Sequence, residues 1–169
     1  MGITRKRLTK IPVDRNSKRI IVLRQAYARK LQHYALNHLV YLDKTGFNIH
    51  TSTNYGHSHK NTEAVAMFPA NRGVNINLMA DIDINGVISY GLKDGAYNGI
   101  AFINFISAKL VPCFLYNANS VLINDNCRFH HITDVIQTLR TNKIKYKFLP
   151  PHSPQLNPIE VFFSNKIMR

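Results

Sequence analysis

One strand pattern restricts more than any other feature how this chain can fold. Apolar side chains occupy every second position of residues 74–84, and Asn85-Gly86 follows at once. Alternation with a period of two predicts a strand with one buried face, and Asn-Gly predicts a two-residue turn into a returning strand. Asp81 and Asp83 fall on the opposite, polar face of the first strand, where we expect them to be solvated.

Short apolar runs and helical stripes on either side of this hairpin predict the rest of a sheet. The predicted strands are 38–43, with 47–50 as its continuation, 120–125 and 144–149, and the predicted helices are 98–110, which Pro112 ends, 132–139, and a last helix with Pro158 at its first position. The first three strands predict an antiparallel meander, and the later alternation of strand and helix predicts parallel crossovers. The sequence therefore predicts an α/β fold with a mixed sheet of about five strands, flanked by helices.

The positive charge is concentrated at the N-terminus. Residues 1–30 hold ten lysines and arginines against Asp14 alone, which accounts for +9 of the net charge of +13. After a cap at Asn16 or Ser17, the spacing of apolar residues predicts a helix whose other face is basic. The apolar face of that helix consists of Ile20, Leu23, Tyr27, Leu31 and Tyr34. A surface of this kind favours nucleic acid as a partner, with a solubilising tail or a localisation patch as the alternatives.

The remaining composition narrows the class of protein further. Two cysteines cannot staple a domain of 169 residues, so we expect a reducing compartment. The longest unbroken apolar stretch is Leu110–Tyr116, which contains Pro112 and is too short to cross a bilayer. We therefore expect no transmembrane span and no membrane partner. No apolar block follows the basic N-terminus, so a secretory signal is not expected either.

Three of the nine acidic residues lie where a strand or a helix begins or ends. Asp43 and Asp125 each follow an apolar run, and ligands of α/β sheets gather outside the carboxyl ends of strands. Glu160 lies in the first turn of the last predicted helix. Local roles are the alternatives: a turn for Asp43, a helix cap for Asp125, and a capping box with Asn157 for Glu160.

The combination of these acids points to a metal site. Three clustered carboxylates would repel one another and raise their own pKa values unless divalent cations neutralised them. Carboxylate oxygens are hard ligands that suit Mg²⁺ or Mn²⁺. Two such ions about 3.5–4 Å apart can activate a water and stabilise the leaving 3′ oxygen in phosphodiester cleavage. A basic arm and an acidic metal pocket on one chain predict a phosphoryl transferase of the nuclease type.

Three motifs contain these acids. They are Tyr41-Leu-Asp-Lys-Thr-Gly-Phe47, Val121-Leu-Ile-Asn-Asp-Asn126 with His130 downstream, and Phe148-Leu-Pro-Pro-His-Ser-Pro-Gln-Leu-Asn-Pro-Ile-Glu160. The chain has 34 residues between Asp125 and Glu160. In their order and spacing the motifs resemble the catalytic domain of mariner-like transposases, which belong to the DDE superfamily.

The resemblance implies a ribonuclease-H-like fold, which agrees with the predicted order of elements. It implies that Asp43, Asp125 and Glu160 hold two Mg²⁺ or Mn²⁺ ions. The implied reaction is hydrolytic nicking of DNA at transposon ends, followed by strand transfer into target DNA by a 3′ hydroxyl. DNA is the implied partner, and a homodimer is compatible with the resemblance. Such a protein works in the nucleus of a eukaryote, or in the cytoplasm at the nucleoid of a bacterium.

The resemblance also divides the chain into a basic linker and helix, residues 1–36, and a catalytic domain, residues 37–169. Family members carry an N-terminal helix-turn-helix region and generally continue further at the C-terminus. We therefore expect this chain to be a catalytic-domain fragment that lacks the helix-turn-helix region and is short at its C-terminus. Lys44 stands where relatives often have an acid, which is expected to lower metal affinity. The alternatives are a catalytically inactive DNA-binding remnant and a ribonuclease-H-like nuclease for RNA–DNA hybrids.

Four further residues are candidates for the margin of the site. Asn126 and Asn157 have side chains that can orient the carboxylates. His130 lies one helical turn beyond Asp125 and can contact the pocket or a phosphate, with packing or capping as the alternative. Lys166 can face DNA or lie in solvent.

Overall fold

The computed structural model describes residues 11–48, 57–65 and 75–166, and within them a mixed sheet forms the centre of the fold. The sheet has five strands in the order β3-β2-β1-β4-β5. They are β1 (Leu39–Asn48), β2 (Asn75–Asp83), β3 (Gly86–Asp94), β4 (Val121–Asn124) and β5 (Lys145–Phe148). Strands β1, β2 and β3 are antiparallel, whereas β4 lies parallel to β1 and β5 parallel to β4. The predicted meander followed by parallel crossovers is therefore confirmed.

Five α-helices surround the sheet. They are α1 (Lys18–Leu31), α2 (Gly99–Phe105), α3 (Val111–Tyr116), α4 (Thr133–Thr141) and α5 (Pro158–Lys166). Helix α1 begins as predicted, because the Ser17 side chain accepts a hydrogen bond from the Ile20 N–H. The hairpin turn is also confirmed, since Gly86 has a φ of 130°, a conformation that side chains rarely adopt. Of the long loop predicted at 51–73, only residues 57–65 are among those described, and they form a turn.

Both faces of the sheet are covered, so the core has two halves. On one face, Leu42, Met79 and Leu122 pack against Phe102 of α2 and against α4. On the other face, α1 covers β1 and β4, and α5 covers β2. Strands β1 and β4, which contain Asp43 and precede Asp125, therefore lie at the centre of the sheet with helices on both faces.

The burial on both faces overturns the expectation for Asp81. Its side chain is fully buried, beneath the layer that also covers Met79 of the same strand face. An alternating strand was expected to have one wet face, but sheets with parallel strands have helices on both sides, and the polar positions of β2 are buried with the apolar ones. Asp83 lies nearer the hairpin and is partly exposed, and its Oδ1 accepts hydrogen bonds from the Asn85 and Gly86 N–H groups.

The prediction that Pro112 ends the second helix is wrong. Helix α2 continues through a π-helical segment, Ile106–Leu110, directly into α3, which ends at Tyr116. Proline disrupts the interior of an α-helix because it lacks an N–H and collides with the carbonyl four residues earlier. The π segment changes the hydrogen-bond register just before Pro112, so that the proline falls in the first turn of α3, where no N–H is needed.

The continuous helix is longer than the apolar stretch that the sequence indicated. Residues Gly99–Tyr116 have a mean hydropathy of 1.6, and by length and composition alone they could cross a bilayer. A core helix of a soluble protein passes the same test, and this one places Phe102, Phe105 and Leu110 in the core. The expected absence of a membrane partner therefore stays a prediction.

Candidate active site

The pairing of β1 with β4 brings the first two acids to adjacent positions. The two strands are parallel neighbours, with Leu42 opposite Asn124. Asp43 directly follows Leu42, and Asp125 directly follows Asn124. Asp125 follows the end of β4 as predicted, but Asp43 lies within β1, opposite Ala80, because β1 pairs with β2 for five residues beyond it.

The third acid reaches the same place through the segment that follows β5. The Leu149 N–H donates to the Asn124 carbonyl at 2.8 Å, so the chain leaves β5 beside the end of β4. A proline-rich turn then leads to α5, which begins at Pro158 as predicted and carries Glu160 in its first turn. Asp125 and Glu160 line one cavity of about 190 Å³, together with Asn157 and the proline-rich turn.

A hydrogen bond ties Asp43 to the start of α5. The Asn157 Nδ2 donates to the Asp43 Oδ2 at 3.0 Å, and both side chains are buried. The Asn157 Oδ1 has no hydrogen-bond partner within the described part of the chain. The capping-box alternative for Asn157 and Glu160 is therefore wrong, because that motif needs Oδ1 to accept from the helix. The Asn157 side chain instead donates its hydrogen bond to Asp43.

The surroundings of Asp43 disfavour its negative charge. Burial raises the pKa of Asp43, and the charges of Asp125 and Glu160 act in the same direction. The Lys44 N–H bond to Oδ1 (2.7 Å) and the His130 charge oppose them, and the resulting pKa is about 7. The charges of Asp125 and Glu160 thus act on Asp43 in the same direction as burial does. A cation placed among them would favour the charged form.

Asp125 is held differently, by a buried histidine. The His130 Nδ1 contacts the Asp125 Oδ1 at 2.7 Å, and the imidazole is packed between the rings of Phe102 and Phe129. Burial raises the pKa of Asp125, but the hydrogen bond and charge of His130 more than offset this, so the net shift is downward. The Cys127 N–H also donates to Oδ1, at 3.2 Å. Contact of His130 with the site is thus observed, together with the packing role that was its alternative.

For the two remaining candidates, Asn126 and Lys166, the structure shows no hydrogen bond to the acids among the described residues. Asn126 lines the cavity, but its Oδ1 accepts from the His131 Nε2 at 2.6 Å and its side chain bonds to no carboxylate in the described structure. Lys166 is the last residue of α5, and its side chain lies outside the described residues.

Three residues that the sequence did not single out also belong to this site. His131 packs its ring on Phe148 at a centroid distance of 4.1 Å while it bonds Asn126. His152 has a φ of 54°, in the left-handed region, and lines the cavity. Ser153 is buried beside it, with its Oγ donating to the Pro151 carbonyl at 3.0 Å. The irregular Pro-Pro-His-Ser-Pro stretch was the signal available for the last two.

The donor atoms of these residues suit a hard divalent cation, but the side chains are not arranged around one point in this structure. Within residues 11–48, 57–65 and 75–166, no three His, Cys, Asp or Glu side chains gather closely enough to form a ready-made metal site. Asp43 is turned to Asn157 and Asp125 to His130, as expected of like charges that avoid one another. Yet the donors are all carboxylate oxygens, with the buried, unpartnered amide oxygen of Asn157 beside them. This donor set suits Mg²⁺ or Mn²⁺.

Comparison with known families and structures agrees with this description. The model of the family described as DDE superfamily endonuclease matches residues 38–167. Among curated protein sequences, none matches this chain at a significant level.

Solved structures with the same fold include several of Mos1 transposase. A pre-cleavage Mos1 transpososome superposes with a TM-score of 0.70 at 22% identity, over 97% of this chain and 53% of that one. The Mos1 mariner paired-end complex with Mn gives 0.69 at 20% identity, over 98% and 54%. The catalytic domain of Mos1 mariner transposase gives 0.61 at 18% identity, over 92% and 72%. The present chain thus spans about half the length of the first two proteins and shares their fold.

Proposed function

The chain belongs to the DDE superfamily endonuclease family, and from that premise we propose that it is the catalytic domain of a mariner-like DNA transposase. Its reaction is metal-dependent hydrolysis of a phosphodiester bond at a transposon end, followed by strand transfer into target DNA. The observation that supports this most directly is the buried hydrogen bond from Asn157 to Asp43, because Asn157 lines the same cavity as Asp125 and Glu160. DNA is the proposed partner, in agreement with the DNA complexes of Mos1 transposase that share the fold.

Asp43, Asp125 and Glu160 are the residues that would hold the metal, with two ions of Mg²⁺ or Mn²⁺ in this proposal. Bound there, such ions supply the charge that activates a water and stabilises a leaving 3′ oxygen. The protein's own contribution is to orient the ligands. The Lys44 N–H and Asn157 hold Asp43. Both contacts of Asp125 with His130 and Cys127 use Oδ1, so among the described residues Oδ2 is left for a cation.

The proposed function is tested by nicking of supercoiled plasmid with Mn²⁺, with Mg²⁺ and with a chelator. We expect conversion to the nicked form with either metal and none with the chelator. In parallel, metal at ten times its dissociation constant should stabilise the protein by about 1.4 kcal/mol. Binding of DNA without nicking and without this stabilisation would indicate the inactive DNA-binding remnant. Cleavage of RNA–DNA hybrids in preference to duplex DNA would indicate a ribonuclease-H-like nuclease.

Asn157 gives a narrower prediction for the same site. Asn157→Ala removes the donor that holds Asp43, and loss of an outer-shell partner typically weakens metal binding 10–100-fold. We expect a loss of that size in Mn²⁺ affinity, measured by electron paramagnetic resonance of free Mn²⁺. Ser153→Ala is the matched control, because Ser153 is buried in the same cavity but bonds only the Pro151 carbonyl. Equal affinities of the two variants would show that Asn157 does not position Asp43.

Three parts of the proposal concern the whole protein. The division into a linker at 1–36 and a catalytic domain at 37–169 stays a prediction, as does a homodimer. The proposed place of action is the nucleus of a eukaryote or the nucleoid of a bacterium, because the proposed substrate is DNA.

A further inference from the structure

The sheet ends on one side at β5, and this edge is basic. Lys145 and Lys147 pair with Val121 and Ile123 of β4, which pack against α1, so both lysines lie on the α1 face of the sheet. Lys147 and Lys30 of α1 line one cleft of about 290 Å³, and no acidic side chain is among its described lining residues. We call Lys30, Lys145 and Lys147 the β5 basic edge.

The charges of the β5 basic edge are not neutralised within the described part of the chain. None of its three lysines forms a salt bridge with any described residue. Lys147 lies over the Tyr34 ring, 5.4 Å from its centroid, and this cation–π contact holds its ammonium group on the α1 face. Helix α1 carries five lysines and arginines, Lys30 among them, and no acid. The edge therefore presents positive charge to an anionic partner.

The β5 basic edge leads to the candidate active site. Successive residues of a strand are about 3.3 Å apart, so Lys145 and Lys147 lie about 6.6 Å apart along β5. After β5 the chain enters the proline-rich turn, where Pro150 and Pro151 line both the cleft and the candidate active-site cavity. The lysines thus continue outward from the active-site cavity in a line along the edge of the sheet.

The opposite edge of the sheet differs in charge. Strand β3 ends at Asp94, and Asp83 lies just before the turn that leads into it. The lysine of this strand, Lys93, donates to the Asp94 carbonyl. Lysines on an edge strand also prevent sheets from pairing edge to edge, and this is the alternative role of Lys145 and Lys147. That role requires no further positive charge on the neighbouring helix, yet α1 provides it.

We propose that the β5 basic edge binds the phosphate backbone of the DNA segment that flanks the cleaved bond. This inference deepens the proposed function and rests on it, since it locates the path by which DNA leaves the active site. Because the lysines contact phosphates and not bases, they position the DNA without a sequence preference. The β3 edge, with its acids, does not contact DNA in this arrangement.

Paired substitutions of surface lysines test the proposal. The edge variant combines Lys145→Gln with Lys147→Gln and removes two charges from the β5 basic edge. The control variant combines Lys93→Gln on β3 with Lys109→Gln in the π-helical segment and removes two charges elsewhere. Binding of a labelled DNA duplex of about 20 base pairs is measured by fluorescence anisotropy with EDTA present, over a range of salt concentrations.

We expect the edge variant to lower the salt slope by about 1.8, because each phosphate contact contributes about 0.9. The ratio of wild-type to edge-variant affinity should then fall about twelvefold between roughly 0.05 and 0.2 M salt. The control variant should change the slope by less than half as much, and Lys145→Arg with Lys147→Arg, which keeps both charges, should retain the wild-type slope. Equal slopes of the edge and control variants would overturn the proposal, and aggregation of such an edge variant would assign the lysines to protection of the sheet edge.

Nicking kinetics test whether this edge serves the active site. Contacts with flanking phosphates are the same in the ground state and the transition state, so the edge variant should raise KM for plasmid DNA with kcat unchanged. A wild-type KM in a variant that binds DNA more weakly would place the bound DNA away from the active site and overturn the proposal.

Because the binding measurement contains no metal, it is independent of nicking. A lower salt slope of the edge variant in a protein that never nicks DNA would support binding at this edge and refute the proposed activity. Metal-dependent nicking by a protein whose edge and control variants bind DNA alike would do the reverse.

Discussion

Asp43→Asn is expected to lower the rate of metal-dependent nicking by at least about a hundredfold while making the metal-free protein more stable, by roughly 2–4 kcal/mol at pH 8. The two effects have one cause. Asp43 is buried beside Asp125 and Glu160, and this raises its pKa to about 7. Its charge is therefore costly in the folded protein without a cation, and the same charge is what a cation would bind.

Asp125→Asn should give the same loss of nicking with the opposite change in stability. The pKa of Asp125 is lowered in the folded protein, since His130 outweighs the effect of burial. A lowered pKa means that the charged form contributes stability above the unfolded pKa, and that this contribution is lost as the pH falls. Removing the charge should therefore lower the melting temperature of the metal-free protein. Because Asp125 is partly exposed, water screens part of this effect and the decrease should be modest.

Asp94→Asn is the matched control for both variants. It removes one negative charge from an exposed position at the end of β3, so it reproduces any general gain in DNA affinity. Nicking is measured on supercoiled plasmid with Mn²⁺, and stability by thermal unfolding with a chelator. If Asp43→Asn nicks DNA as fast as Asp94→Asn, the assignment of Asp43 to the metal site is wrong. If it destabilises the metal-free protein, the charge of Asp43 is better compensated than its surroundings indicate.

The sheet could be predicted from the sequence because its signals are local. The period of two in residues 74–84, the Asn85-Gly86 turn and the alternation of strand and helix after it depend on neighbours within a few positions. They correctly predicted the order of elements and the hairpin, whereas the adjacency of β1 and β4 depends on long-range pairing. The continuation of the helix past Pro112 was not predicted, because the sequence did not indicate the π segment. That segment shifts the hydrogen-bond register, so the proline no longer ends the helix.

The site could be predicted only at the level of its acids. Asp125 and Glu160 lie at element ends, where chain position indicates exposure to a ligand. For Asn157 the sequence left two roles open, orientation of a carboxylate and a capping box, because the local pattern fits both and only the long-range contact with Asp43 distinguishes them. The same is true of burial: whether a polar strand face meets water depends on which helices return to cover it, and this decides the fate of Asp81.

Asp81→Asn is expected to raise the free energy of unfolding by about 3 kcal/mol at pH 8. Burial raises the pKa of Asp81, hydrogen bonds from Ser89 oppose this and the charge of Asp83 adds to it, and the resulting pKa is about 6. The Ser89 Oγ donates to Oδ1, while Oδ2 is buried with no partner among the described residues. An asparagine keeps the acceptor at Oδ1 and carries no charge to desolvate.

The effect should depend on pH in a defined window. The folded protein holds the proton of Asp81 up to about pH 6, whereas the unfolded chain releases it near the ordinary pKa of 3.8. Between these values the folded state binds more protons, so the stability of the wild type falls as the pH rises. The difference between Asp81→Asn and wild type should be near zero at pH 4, grow to about pH 6 and stay constant above it.

Urea unfolding from pH 4 to pH 8 measures this difference, with the denaturant slope checked at each pH. Asp83→Asn is the control, because Asp83 lies on the same strand, is partly exposed and uses an oxygen that asparagine retains for the turn. We expect its effect to stay within about 0.5 kcal/mol, as for most surface substitutions. A difference for Asp81→Asn that does not change between pH 4 and pH 8 would show that folding does not raise the pKa of Asp81, because its charge is compensated in the folded protein, for example by a partner of Oδ2. Since Asp81 lies on the sheet face opposite Asp43, any gain in stability should leave metal-dependent nicking unchanged.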